Sequence, residues 1–156
     1  KNDLIKIAQS IGSDVILGLF NGPIIVFGKK NFKILKKKIK FHLLIIKPNF
    51  GCSTKTIYSH HRGLTKGMFI NKPIFKKDYL RNNLNNDLEI TAFKKYPILK
   101  KIKIFMQKLE NIYFVNMTGT GSTIIGYFLT KNAALKAKKK LENKYKNYWC
   151  IYSKTI

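Results

Sequence analysis

A chain of 156 residues with 45% apolar content has the size and composition of a folded domain with a core, not of a disordered polymer. Its apolar runs, such as Phe41 to Ile46 and Ile124 to Leu129, are strand-length and fall short of the roughly 18 to 20 residues that cross a bilayer. The formal charge of +24 invites a polyanionic partner, yet 29 Lys stand against 2 Arg beside 22 Ile and 14 Asn. A genome rich in A and T produces that joint bias without selection for phosphate binding, so Lys36-Lys37-Lys38 and Lys138-Lys139-Lys140 are read as solvated faces.

The chain begins inside what looks like a helix, Asp3 to Ile11, with apolar residues at 4, 5, 8 and 11 and a stop at Gly12. With no initiator Met or targeting pattern before it, an upstream N-terminal part is expected. Ser13-Asp14-Val15 follows, then Gly22-Pro23, a strand over Ile24 to Phe27 closed by Gly28, and Phe32 to Leu35 pairing back across Lys29-Lys30-Asn31. Lys40 to Lys47 predicts a second, stronger strand, broken by Pro48-Asn49-Phe50-Gly51. Ser53 or Thr54 can cap a short helix through Tyr58. Residues 62 to 85 lack a sustained period and read as a long surface connection.

Asn86-Asp87-Leu88-Glu89 opens a helix to Tyr96, with acidic residues where the helix dipole favours them. Pro97 starts another that runs to about Glu110. Ile112 to Asn116 and Thr123 to Leu129 read as strands, Lys131 to Tyr145 as a helix with Ala133, Ala134, Ala137 and Leu141 on its apolar side, and Tyr148 to Tyr152 as a closing strand. From Lys40 onward this order is that of a two-layer α+β sandwich of antiparallel sheet and helices, the split βαβ or ferredoxin-like kind.

Cys52 and Cys150 lie far apart with no paired spacing, which suits a reducing, cytoplasmic setting. Adjacent side chains of a helix point in different directions, so His60-His61 predicts no shared metal site, and no metal ligand is assigned.

The residues richest in chemistry join the two strands near the C-terminus, Met117-Thr118-Gly119-Thr120-Gly121-Ser122. Small and hydroxylated residues between glycines let successive N–H groups converge on an anion without side chains in the way. The same spacing also suits a plain hairpin turn with φ > 0 at Gly119 and Gly121.

Four segments in order carry a resemblance: Ile11-Gly12-Ser13-Asp14-Val15, then Lys47-Pro48-Asn49-Phe50-Gly51-Cys52-Ser53-Thr54-Lys55-Thr56-Ile57-Tyr58, then Asn86-Asp87-Leu88-Glu89, then Met117 to Ser122. Together they resemble the C-terminal half of the two-lobed GHMP-type small-molecule kinases. Within that family they are most similar to the branch acting on a cytidine diphosphate conjugate of methylerythritol. The resemblance implies ATP-dependent phosphorylation of a hydroxyl of 4-diphosphocytidyl-2-C-methyl-D-erythritol on the non-mevalonate route to isoprenoids, with ATP as co-substrate and Mg²⁺. It implies that 1–39 is the tail of the N-terminal kinase domain and 40–156 the C-terminal domain.

By the same resemblance Asp14 is the catalytic carboxylate, Thr54 and Tyr58 face the methylerythritol pocket, and Gly119, Thr120, Gly121 and Ser122 lie near the nucleotide phosphates. Asn86-Asp87 is read as a structural helix start. A hydroxyl nucleophile needs its proton accepted or oriented, which a carboxylate such as Asp14 can do. Two departures stand out: Ile16 where the family has Pro, and Gly28-Lys29-Lys30-Asn31 where it has a Gly-x-Gly-Glu-like turn. The family's main phosphate loop, its Lys and most of the cytidine pocket match nothing here, so this segment alone is expected to be inactive.

The expected partners are therefore ATP, the cytidine diphosphate conjugate and the N-terminal domain of the same protein, with neither membrane nor nucleic acid among them. Three rival readings remain: a basic nucleic-acid-binding module, motivated by Tyr145, Tyr148 and Trp149 beside lysines; another kinase of the superfamily, acting on homoserine or mevalonate; and the relic of a decaying gene.

Overall fold

The structure, a computed structural model, describes residues 2–12, 15–22, 24–27, 31–34, 40–61, 63, 81 and 84–155. By contact the chain divides into two compact units, Lys1–Ile39 together with Ile156, and Lys40–Thr155.

In the first unit, helix α1 (Asn2–Ile11) ends where the Gly12 N–H donates to the Ala8 carbonyl at 3.1 Å. A 3₁₀ turn over Val15–Leu19 packs on it with Ile16 buried. The expected apolar stripe of α1 is buried at Ala8 only, while Leu4 and Ile11 stay exposed, because a stripe is buried only where an element lies opposite it. Strands β1 (Ile24–Phe27) and β2 (Asn31–Ile34) form an antiparallel pair with Val26 opposite Phe32. The Phe20 and Phe32 rings meet at a centroid distance of 5.3 Å. Ser13 and Asp14 lie outside the described residues.

In the second unit the elements run β3 (His42–Lys47), α2 (Thr54–His60), α3 (Leu88–Lys95), α4 (Pro97–Gln107), β4 (Ile112–Met117), β5 (Ile124–Phe128), α5 (Lys131–Lys144) and β6 (Trp149–Lys154). The four strands form one sheet in the order β4-β5-β3-β6, each pair antiparallel. This is the α+β, ferredoxin-like order that the alternation of strands and helices predicts. Of the stretch 62–85, read from sequence as a surface connection, only Gly63, Arg81, Leu84 and Asn85 are described, and Arg81 has helical backbone.

Period-two burial fixes the register of the sheet. In β5 Ile124, Gly126 and Phe128 are buried while Ile125 and Tyr127 are half-buried. Leu44 and Ile46 of β3 join the same core as Leu99, Ile102 and Met106 of α4 and Ala134 and Leu141 of α5. Complete burial of each such large side chain contributes about 1.5–3 kcal/mol. Gly126 leaves room for the Met106 side chain of α4: a Cβ there would sit 2.8 Å from Met106 Cε and 3.0 Å from Ile112 Cδ1.

Helix α4 stops at Gln107, short of the expected Glu110. Lys108 caps it with its N–H on the carbonyls of Phe105 and Met106, and Asn111 turns the chain into β4 at φ 57, a conformation asparagine tolerates. Strand β3 begins at His42 rather than Lys40, since the Phe41 N–H is held by the Thr155 hydroxyl at 2.9 Å.

Candidate functional site

The hairpin between β4 and β5 carries the glycine loop. Gly119 and Gly121 both take positive φ, 49° and 88°. Inside the turn the Thr118 N–H donates to the Thr123 carbonyl at 3.0 Å and the Gly121 N–H to the Thr118 carbonyl at 2.9 Å. A Cβ at Gly121 would lie 2.9 Å from Met117 Sδ and 3.1 Å from Cys52 Sγ, so only glycine fits that place, whereas nothing lies within 4 Å of one at Gly119. Gly121 therefore seats the loop and Gly119 lies at its open side.

Three neighbours hold this loop. The Ser122 hydroxyl, 2% exposed, donates to the Phe50 carbonyl at 2.5 Å, tying the loop to the Pro48–Cys52 bend. Ser122 is thus an anchor whose hydroxyl points inward. The Asn86 amide donates to the Met117 carbonyl at 2.9 Å and to the Gly119 carbonyl at 2.7 Å. Its Oδ1 accepts from the Leu88 N–H at 3.0 Å and so starts α3. One turn on, a Glu89 oxygen accepts from the Met117 N–H at 2.7 Å while the other pairs with the Lys103 ammonium of α4. Half-burial strengthens such charge-assisted bonds relative to exposed ones.

The third neighbour is α2. Ser53, not Thr54, is its N-cap, accepting from the Thr56 N–H at 3.3 Å. Thr54 is left with its hydroxyl 3.3 Å from the Thr120 hydroxyl, bringing the two sequence-predicted segments together. Tyr58, one turn further along the same face, is 61% exposed, so it is no core tyrosine.

Tyr58, His61, Asn86, Asp87, Asn116 and Gly119 line a cleft of about 550 Å³ between α2, the start of α3 and the hairpin. Asn116 is held across it, its amide donating to the Leu84 carbonyl at 2.7 Å. The lining offers amides, two phenols, the Thr118 hydroxyl, an imidazole and the Asp87 carboxylate, a chemistry of directed hydrogen bonds suited to a polyhydroxylated ligand. Burial pushes the Cys52 thiol above its ordinary value, so the sulfur behind the loop stays neutral and serves as packing.

Among the described residues no group of three or more His, Cys, Asp or Glu is placed to hold a metal ion. Among them no helix is long and apolar enough to cross a membrane. Asp14, the expected catalytic carboxylate, lies outside the described residues. The sequence marks Asn86-Asp87 as a structural helix start and Asn86 to Glu89 as one of the four resembling segments. The grip of Asn86 and Glu89 on the hairpin pairs residues some 30 positions apart, which no local pattern encodes.

Residues 75–147 match the family model described as GHMP kinases C terminal. The chain is 50% identical over 159 aligned residues to a 4-diphosphocytidyl-2-C-methyl-D-erythritol kinase of Pelagibacter ubique, covering all of this chain and 56% of that protein. A kinase of the same name from Caldicellulosiruptor saccharolyticus is 31% identical over 91% of this chain and 51% of its own length. The chain thus spans little more than half the length of these curated relatives. In fold it is similar to a crystal structure of a 4-(cytidine 5'-diphospho)-2C-methyl-D-erythritol kinase, with a TM-score of 0.75 at 23% identity over 96% of this chain and 56% of that one. A homoserine kinase from Cytophaga hutchinsonii gives a TM-score of 0.70 at 13% identity, covering 99% of this chain and 57% of that one. Over residues 75–147 the chain is thus similar in sequence to the C-terminal domain of the GHMP kinases, and its antiparallel sheet and helices are similar in fold to that of a solved kinase.

Proposed function

We propose that the protein to which this chain belongs transfers the γ-phosphoryl group of ATP to a hydroxyl of 4-diphosphocytidyl-2-C-methyl-D-erythritol. The observation that carries this reading is the 3.3 Å approach of the Thr54 and Thr120 hydroxyls, which brings the segment assigned to the acceptor beside the loop assigned to the phosphates. The names of the relatives, 50% identical in one case, support the choice of acceptor.

Phosphoryl transfer demands little covalent chemistry of the protein: it needs the acceptor hydroxyl aligned with the γ-phosphorus and donors aimed at the equatorial oxygens. In this reading Tyr58 and Thr54 hold the methylerythritol part by hydrogen bonds from one helix face, and Gly119 and Thr120 present the loop to phosphate oxygens. Gly121 and Ser122 keep that loop seated. Asp14 accepts or orients the proton of the attacking hydroxyl as the new O–P bond forms and the bond to ADP breaks. Mg²⁺, if it accompanies the nucleotide, would offset phosphate charge; its ligands are not assigned to the described residues.

The 156-residue chain by itself is expected to be inactive, because it spans 56% of the Pelagibacter ubique kinase and the resemblance puts the main phosphate loop in the remainder. Incubating the full-length protein with ATP and 4-diphosphocytidyl-2-C-methyl-D-erythritol should yield ADP and a singly phosphorylated conjugate. Asp14→Asn should lower kcat by about 10²- to 10⁴-fold. Turnover of homoserine or mevalonate in its place would overturn the acceptor assignment. Salt-dependent oligonucleotide binding without any kinase turnover would overturn the enzymatic reading altogether.

A further inference from the structure

Asn86 makes three hydrogen bonds with one side chain: its amide donates to the carbonyls of Met117 and Gly119, and its Oδ1 accepts from the Leu88 N–H. A helix start needs only the last of these. The two donated bonds act on the hairpin instead, and one of them, at 2.7 Å, is on the carbonyl of the very glycine whose open side faces the cleft.

The consequence follows from peptide geometry. In a trans peptide the C=O and the N–H of one plane point in opposite directions. The Gly119–Thr120 peptide is trans, since Gly121–Ser122 is the one cis bond found among the described residues. Holding the Gly119 carbonyl toward Asn86 therefore aims the Thr120 N–H away from it. Thr120 also carries the hydroxyl that meets Thr54. The Gly119–Thr120 peptide is the middle plane of the turn that the Gly121 N–H closes on the Thr118 carbonyl; that closing bond does not engage the plane's own C=O, and Gly119, at φ 49, has no side chain to hold it, so the Asn86 amide is the group that fixes its direction.

We propose that Asn86 is a positioning residue of the phosphoryl-transfer site: by clamping the Gly119 carbonyl it directs the Thr120 N–H at a phosphate oxygen of the bound nucleotide. This rests on the kinase reading above and assigns the nucleotide's phosphate chain, not the sugar acceptor, to the Asn86-held loop. Asn86 touches no reacting atom in this account. It acts through the loop, much as Glu89, paired with Lys103, acts on the same strand end through the Met117 N–H.

Two variants separate this role from a purely structural one. Asn86→Asp keeps a cap acceptor for the Leu88 N–H, and favours the helix dipole, but replaces a donor to two carbonyls with a repelling oxygen. Asn86→Ser keeps the cap without the charge and is too short to span to both carbonyls. In the full-length enzyme each is expected to raise the KM for ATP by about 10-fold or more and to leave the KM for the acceptor within about 2-fold. The Thr120 amide should also lose the slowing of hydrogen exchange that ADP confers on it in the unaltered enzyme. An active enzyme in which both folded variants keep the original KM for ATP, and the ADP-dependent protection of Thr120, would overturn the proposal alone. An unaltered protein that neither binds ATP nor turns it over would overturn the kinase reading and this proposal with it. Equal increases in both KM values, with lowered thermal stability, would assign Asn86 to the scaffold and likewise overturn the proposal.

Discussion

Two glycines two residues apart in the hairpin do different work. Gly121 has φ 88 and sulfur atoms 2.9 and 3.1 Å from where a Cβ would lie, while Gly119 has φ 49 with open space around it. Gly121→Ala combines a left-handed strain with overpacking and should destabilise the chain by about 1–3 kcal/mol. Gly119→Ala meets only the left-handed penalty, about 1 kcal/mol. Urea unfolding of the two variants side by side checks this, and equal losses would mean that the contacts behind Gly121 relax freely. The spacing of these glycines predicts both a turn and an anion loop, and the structure satisfies the turn by itself. Their sequence signal is therefore ambiguous in a way that only the neighbours, Asn86, Phe50 and Thr54, begin to resolve.

Elements in this chain are placed by their caps as much as by their apolar faces. Thr130 caps α5, its hydroxyl accepting from the Ala133 N–H at 3.3 Å, and the helix then buries Ala133, Ala134, Ala137 and Leu141. Thr130→Ala should cost about 1 kcal/mol, read as a lower urea midpoint with unchanged slope. A midpoint shift indistinguishable from zero would show that packing alone holds the first turn. Helix α2 obeys the same rule from Ser53, and that choice of cap is what releases the Thr54 hydroxyl toward Thr120. Both helices were legible in the sequence because apolar spacing and a capping hydroxyl are local signals. Which of two neighbouring hydroxyls does the capping depends on backbone angles that composition does not carry, Ser53 being extended at φ -65 and ψ 115.

At the scale of the whole molecule the charge of +24 sets the conditions under which the fold persists. The described ion pairs, Glu89 with Lys103 and Lys138 with Glu142 at 2.7 Å, engage few of its cations. Self-repulsion of the rest should weaken the compact state at low ionic strength, where the Debye length is roughly 30 Å at 0.01 M against about 8 Å at 0.15 M. The thermal midpoint should rise with added NaCl by a few degrees, about 2–4 °C for each kcal/mol recovered. A midpoint independent of salt would mean the lysines are spread too widely to repel.

The order of strands and helices, the alternation that puts Leu44, Ile46, Ile124 and Phe128 inside, and the four segments that resemble a kinase family are all properties of residues close together along the chain. Each is set by periodicity, by capping or by a short pattern, so the linear sequence suffices for them. The grip of Asn86 and Glu89 on a hairpin 28 to 33 positions away, the Thr54 and Thr120 encounter across 66, and the cleft that Asn86, Asn116 and Gly119 line came only with tertiary packing. Side chains become partners there because a sheet of order β4-β5-β3-β6 carries their elements to one end of the domain. Hydrogen bonds between distant residues leave no period in the sequence from which they could be read.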